Sequence, residues 1–292
     1  MPSLPSIGHA MSNAPTDAGQ IGHGGDEAAF SSAAEERLGG ESSSRPGAAA
    51  APQSLRYTTL PDQRRLYETG YTGIYAKHRF DDFATQTKLA LDKIAQAPSG
   101  KRLLADIAAA SEGREGKHVS IVPAQSVATR PLLSQRQAED RNMQQNDYSR
   151  DQNNLAGELS KKRTVLRVNV GNGPGAKAEI AWDPEQSLKL DSRGRPYQGL
   201  FDNPSQAHLV LAHELVHAVH ILKGNLKFGG DRLDPVTQSG KEELRAVGLG
   251  KYVKKTPYSE NSIRQELGFP QRSQYNRVPD TPERSLSDDD ES

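Results

Sequence analysis

The chain has 292 residues, with 37 Lys and Arg balanced by 37 Asp and Glu, so its formal charge is zero and nothing in it points to nucleic acid as a partner. It has no cysteine, which excludes disulfides and thiolate metal ligands and leaves His and carboxylates as the donors for any metal. The hydrophobic fraction of 34% is low for a wholly folded chain of this length, no apolar run approaches the ~20 residues of a membrane helix, and no basic-then-apolar start marks a conventional signal peptide.

Residues 1–54 are rich in Ser, Gly, Ala and Pro, with few large apolar residues, and end on Pro46-Gly47-Ala48-Ala49-Ala50-Ala51-Pro52. Such a segment cannot bury a core and is expected to be disordered, as a linker or as a secretion or translocation segment. Order is expected from Leu55. Residues 62–74 carry Leu66, Tyr67, Tyr71 and Ile74 among charges and read as a short helix broken at Gly70 or Gly73. A stronger helix covers 81–95, on Phe83, Leu89, Leu91 and Ile94, and stops at Pro98. Ser99 then reads as the N-cap of a helix over 100–110, with Leu103, Leu104, Ile107 and Ala108 as its apolar set.

Residues 117–122 read as a strand. The polar stretch 125–160 reads as a long surface loop near the site. Residues 163–170 alternate Val165, Leu166, Val168 and Val170 with polar residues; after the turn Gly171-Asn172-Gly173-Pro174-Gly175, residues 176–182 read as a second strand and complete a hairpin. The glycines there are too irregular for a dinucleotide fingerprint. A sheet edge beside the next helix would be a place to lay a substrate peptide as an extra strand.

That helix is the centre of the chain. Asn203 as N-cap, Pro204 at the first position and Gln206 as half of a capping box start it, and Gly224 stops it, giving 204–223. It carries His213-Glu214-Leu215-Val216-His217, the H-E-x-x-H pattern. Residues four apart share one helix face, so both imidazoles can point at one metal ion, and Glu214 stands beside them as a base. Surface histidines on a helix are the plain alternative. However, Leu209, Val210, Leu211, Ala212, Leu215, Val216, Ala218, Val219, Ile221 and Leu222 surround the motif, which implies burial. Buried His-Glu-His without a partner would be costly, and one Zn²⁺ ion removes that cost.

A catalytic zinc usually holds three protein ligands and one open position. The extended pattern H-E-x-x-H-x-x-G-x-x-H would need Gly at 220 and His at 223; the chain has His220 and Lys223, so the metzincin arrangement fails. A later carboxylate is the next candidate. Lys241-Glu242-Glu243-Leu244-Arg245-Ala246-Val247-Gly248 reads as a helix and offers two. Asp231 and Asp234 are rivals, with turn formation their plainer role. His220 reads as a satisfied neighbour and His208 as structural.

His213-Glu214-Leu215-Val216-His217 followed by Glu242-Glu243-Leu244-Arg245 and Gly248 resembles the clostridial neurotoxin light-chain zinc proteases. The full order, adding Ser259-Glu260-Asn261, Ile263-Arg264, Gly268, Pro270 and Arg272-Ser273-Gln274-Tyr275, resembles more closely the NleD-like type III effector zinc metalloproteases of bacterial pathogens. The resemblance covers roughly residues 60–280 and is specific in the last third. It implies His213, His217 and Glu243 as metal ligands, Glu214 as general base, Glu242 behind the ligands, and Arg272 and Tyr275 facing the oxyanion. Glu260 could orient a ligand His or serve a helix N-terminus.

The expected fold is α+β: a zincin-like single metalloprotease domain over 55–280, helical around the site with a small sheet, followed by an acidic tail over 281–292. The resemblance further implies a chain secreted into the host cell cytoplasm, with a host signalling protein as substrate and mitogen-activated protein kinases as the family's known targets. A secretion chaperone on the N-terminal segment is a further expected partner, and the lack of Cys suits a chain that unfolds in transit. The alternative is an inactive relative that keeps zinc for folding and acts by binding a host protein.

Overall fold

The computed structural model describes residues 55–60, 63–79, 81–113, 116–144, 149–165 and 168–276. The expectations for residues 1–54 and 281–292 lie outside them.

Three short strands come first: β1 (Tyr57–Thr59), β2 (Arg65–Glu68) and β3 (Ile74–His78), paired antiparallel in sequence. This overturns the helix expected over 62–74. Gly70 and Gly73, at φ +84° and +76°, turn the chain between β2 and β3, so Tyr67 and Ile74 are buried from two strands instead of one helix face. Helices α1 (Asp81–Ile94) and α2 (Pro98–Ser111) follow as expected, except that Leu89 is 55% exposed and Ser99 lies inside α2. The cap of α2 comes from far away: Glu266 accepts hydrogen bonds from the Ser99 amide and hydroxyl, both at 2.7 Å. A carboxylate at a helix N-terminus satisfies free amides and faces the positive end of the dipole.

The stretch 125–160 is not one loop. After β4 (Val119–Pro123) it forms β5 (Ala128–Leu132), α3 (Gln135–Glu139) and α4 (Arg150–Ser160). Nor do 163–170 and 176–182 make the expected hairpin. β6 (Lys162–Val165) and β7 (Val168–Asn172) pair with each other, whereas β8 (Lys177–Trp182) enters the main sheet between β4 and β5. β8 is buried at five of its six positions, which demands cover on both faces, and a central strand has it. The main sheet runs β1-β2-β3-β4-β8-β5, parallel at β3/β4 and β4/β8 and antiparallel elsewhere. β5 is therefore one edge. A two-stranded pair, β9 (Gln186–Ser187) with β10 (Phe201–Asp202), precedes the central helix.

That helix, α5 (Ala207–Leu222), is buried along its whole length and packs on β8, β5, α1, α2 and α7 (Glu260–Glu266). Leu209, Leu211 and Leu215 each contribute roughly 1.5–3 kcal/mol by leaving water. It starts three residues later than expected. The Asn203 carboxamide accepts a hydrogen bond from the Ser205 hydroxyl at 2.6 Å, so it caps a turn, and Gln206 occupies the N-cap position. The Trp182 indole donates to the Ala207 carbonyl at 3.1 Å and ties the helix start to β8.

α6 (Gln238–Val247) begins at Thr237, whose hydroxyl accepts from the Gly240 amide at 2.9 Å. It ends at Gly248, φ +86°, where a Cβ would lie 2.3 Å from the Ser259 hydroxyl. Ser259 caps α7 with a capping box to Ser262, so one glycine lets α6 stop directly against the start of α7. The architecture is mixed α+β, and no helix among the described residues is long and apolar enough to cross a membrane.

Candidate metal centre

His213 and His217 lie one turn apart on α5, and Glu243 comes to them from α6. Among the described residues, these three form the group able to hold a metal ion. The His213 and His217 Nε2 atoms are 3.1 Å apart, and the Glu243 Oε2 is 3.3 Å from the first and 3.1 Å from the second. Zinc bonds of about 2.0–2.1 Å in a tetrahedral array would put the donors about 3.3 Å apart. The three donors are therefore spaced as three ligands of one such ion would be. Asp231 and Asp234, the rival carboxylates, close turns: each accepts a hydrogen bond from a backbone amide two residues on, at 2.9 Å.

Behind each imidazole stands a carboxylate. His213 Nδ1 donates to Glu260 at 3.0 Å, and His217 Nδ1 lies 3.5 Å from Glu242. A proton held on Nδ1 leaves the Nε2 lone pair pointing at the centre, as a metal requires. Glu260 is fully buried. The Arg264 Nε donates to it at 2.8 Å and the Arg272 guanidinium at 2.8 Å. Burial opposes its charge, but the Arg272 and Arg264 cations hold its carboxyl well below the usual range. Glu260 is the first residue of α7 and the hydrogen-bond partner of His213.

Glu242 pairs with His220 and also meets the Lys227 amide at 3.3 Å and Arg245 at 3.6 Å. Burial works against its ionisation too, and His220 and His217 hold it well below the ordinary value. The same opposition operates at Glu243, where burial is overcome by His217 and His213. On the imidazole side, burial disfavours a proton on His217, yet Glu243 and Glu242 raise its proton affinity well above the usual value. The cluster calls for positive charge, which a divalent cation would supply.

Glu214 is 8% exposed and is gripped by a residue the sequence did not single out: the Thr129 hydroxyl, on edge strand β5, donates to its carboxylate at 2.6 Å. Thr129 lies in the stretch read as loop, and only the pairing of β5 with β8 brings it here.

Tyr275 and Arg272 both come close. The Tyr275 ring lies nearly parallel to the His213 imidazole, with centroids 6.5 Å apart at 15°. Burial and Glu243 hold its phenol well above the usual value, so it keeps its proton and can donate it. Arg272 is 4% exposed. Besides Glu260, it donates to the Tyr275 carbonyl at 3.0 Å, its amide is bound by Asn261 at 2.7 Å, and its Nε has no partner among the described residues.

His208 lies apart from the three donors: it is 4% exposed and edge-on to Phe269 at 5.6 Å. Burial first, with the Lys93 and Arg264 cations, lowers its pKa to about 4. Folding therefore holds it neutral while the unfolded chain takes up a proton below the ordinary value of 6.5. Its contribution is intact above pH 6.5 and lost as pH falls to about 4, on the order of 3 kcal/mol in all. Denaturant unfolding across that range should give a flatter pH dependence for His208→Phe than for the parent; equal slopes would contradict the assignment.

Comparison with the curated proteins gives no match. The structure is similar to the Clostridium botulinum neurotoxin serotype F light chain, with a TM-score of 0.44 at 11% identity over 79% of this chain and 86% of that one. It is also similar to the catalytic domain of Clostridium botulinum neurotoxin serotype F (TM-score 0.40, 12% identity, 74% of this chain) and to the botulinum neurotoxin type D light chain (TM-score 0.39, 14% identity, 75% of this chain). The chain spans 65% of the length of each of those two. Residues 72–275 match the Peptidase_M91 family, described as an effector protein, and the chain belongs to that family.

Proposed function

We propose that the chain is a zinc-dependent endopeptidase that is injected into a host cell and cuts a host signalling protein there. One observation carries the reading: two Nε2 atoms and one carboxylate oxygen converge at 3.1–3.3 Å with Glu214 gripped alongside. His213, His217 and Glu243 would hold the ion. Zinc bound there would polarise a carbonyl and bring the pKa of water towards neutrality.

The chain's own residues do the rest. Glu214 takes the proton from the attacking water and passes it to the leaving amine. Tyr275, protonated and next to His213, donates to the oxygen on which charge develops. Arg272, expected to face the oxyanion, has both guanidinium NH groups committed to Glu260 and to the Tyr275 carbonyl, so in this reading it acts from behind and fixes both sides of this arrangement. Glu260 and Glu242 keep the two imidazoles in the metal-binding tautomer. The edge strand β5, which carries Thr129, offers a rail on which a substrate peptide can add as a strand. The catalytic domain is residues 55–280, and the N-terminal segment serves delivery. Mitogen-activated protein kinases as targets follow from the family resemblance alone. An inactive zinc-binding relative would have no need of a base so firmly oriented.

Incubation of the purified chain with host-cell lysate tests this reading. Discrete cleavage that stops with a chelator and returns with zinc is expected; chelator-insensitive cleavage, or none, would sink it. The Thr129 contact adds a sharper expectation. Hydrogen bonds to charged groups are worth about 1.5–3 kcal/mol, so Thr129→Val should lower kcat roughly tenfold or more with KM little changed. Thr129→Ser should restore it. Full activity in the valine variant would show that Glu214 needs no such hold.

A further inference from the structure

Beside Tyr275 a cleft of about 320 Å³ opens between α6 and the segments before and after it. We infer that this cleft receives an apolar side chain of the substrate next to the scissile bond, and that Leu233, Pro235, Leu244 and Leu249 set this preference. The inference rests on the endopeptidase reading and deepens it by naming a substrate class.

Position is the first argument. Tyr275 lines the cleft while its ring stacks against His213, so the cleft and the candidate metal centre share a wall. Leu244 also lines it and directly follows Glu243 on α6. A peptide whose carbonyl lies at the metal centre therefore has its neighbouring side chains within reach of this opening.

Chemistry is the second. The lining includes three leucines and a proline, with Arg232, Ser273, Gln274 and Asn276 as its polar members, and the volume lies at the low end of the roughly 300–1,000 Å³ typical of ligand pockets, which suits one large side chain. Leu233 is 52% exposed and Val236, on the same segment, 72% exposed. Together with Phe228 (57%) and Val253 (62%), they place four of the six large exposed hydrophobics among the described residues within 228–253. Of these, Leu233 lines the cleft, so an exposed apolar side chain stands at its mouth.

The wall is also preformed. Asp231 and Asp234 each close a turn onto the backbone. The Thr237 hydroxyl donates to the Asp231 carbonyl at 2.5 Å and the Asp234 carbonyl at 2.9 Å. A Cβ on Gly240 would lie 1.9 Å from the Asp234 carbonyl oxygen, so the segment carrying Leu233 and Pro235 lies directly on α6. A rigid pocket discriminates because its shape is fixed before the substrate arrives.

The test is cleavage-site profiling of the zinc-loaded full chain on peptides from a digested host proteome, with new N-termini read by mass spectrometry. Glu214→Gln, Leu233→Asp and Leu249→Ala are run in parallel. Leu233 is exposed, so its substitution leaves the core untouched. Sites cut by the parent should be enriched in apolar residues at one of the two positions flanking the cut. Leu233→Asp should lower kcat/KM for the preferred peptides about tenfold or more, the size expected for a mismatched apolar subsite, and Leu249→Ala should shift the preference to larger side chains. Cuts that depend on Glu214 but show no apolar enrichment, or the same enrichment in both pocket variants, overturn this inference and leave the endopeptidase reading standing. Absence of any Glu214-dependent cut overturns both.

Discussion

Glu214→Gln is expected to lower kcat/KM by roughly 10²–10⁴-fold, the usual contribution of a positioned general base, while zinc content and fold stay at the parent's level. The split follows from the geometry. Glu214 is not among the three donors that converge on the centre, so the ion stays. A glutamine keeps the size of the side chain and an oxygen that can accept the Thr129 hydroxyl, so the local packing stays. Only the ability to take a proton is removed. Steady-state kinetics on any peptide the parent cuts, paired with zinc analysis of the same preparations, gives the answer. A variant within a few-fold of the parent would remove Glu214 from the mechanism.

The second large effect distinguishes two adjacent carboxylates. Glu243→Gln should weaken zinc binding by more than the roughly 10–100-fold that losing a supporting carboxylate costs, and Glu242→Gln should fall within that range. Glu243 approaches both Nε2 atoms, whereas Glu242 approaches His217 from the Nδ1 side and divides itself among His220, the Lys227 amide and Arg245. Competition against a chromophoric chelator ranks the two. The reverse order would make Glu242 the ligand and Glu243 its support. Glu242→Gln has a further signature: it is 3% exposed and neutralising it strands Arg245 and His220, so this variant should also unfold at lower denaturant.

The centre of the molecule was legible in the sequence because its constraints are local. The four-residue spacing of His213 and His217 and an apolar surround from Leu209 to Leu222 are enough to define a buried helix with two donors on one face. The third donor, thirty residues past His213, depends on how α6 packs on α5, and spacing left it open among four carboxylates. The rest was hidden where long-range pairing overrides local pattern. β5 carries Arg130 and Pro131 and few apolar residues, a composition that an edge strand tolerates and that reads as loop. Thr129 was lost with it. Two signals in the same stretch were available: Ser134 with Gln137 forms a full capping box, and Ser149 with Gln152 stands at the head of α4. The hairpin expected at 163–182 failed for another reason. β8 is apolar enough to need cover on both faces and went to the sheet centre, and periodicity cannot choose a partner for such a strand.

Everything proposed for this centre requires one ion between α5 and α6. Anomalous diffraction at the zinc absorption edge, from crystals of the purified full chain, tests this most directly. A single peak bonded to His213 Nε2, His217 Nε2 and a Glu243 oxygen is predicted; no peak there, or a peak whose third protein ligand is any other residue, would contradict it.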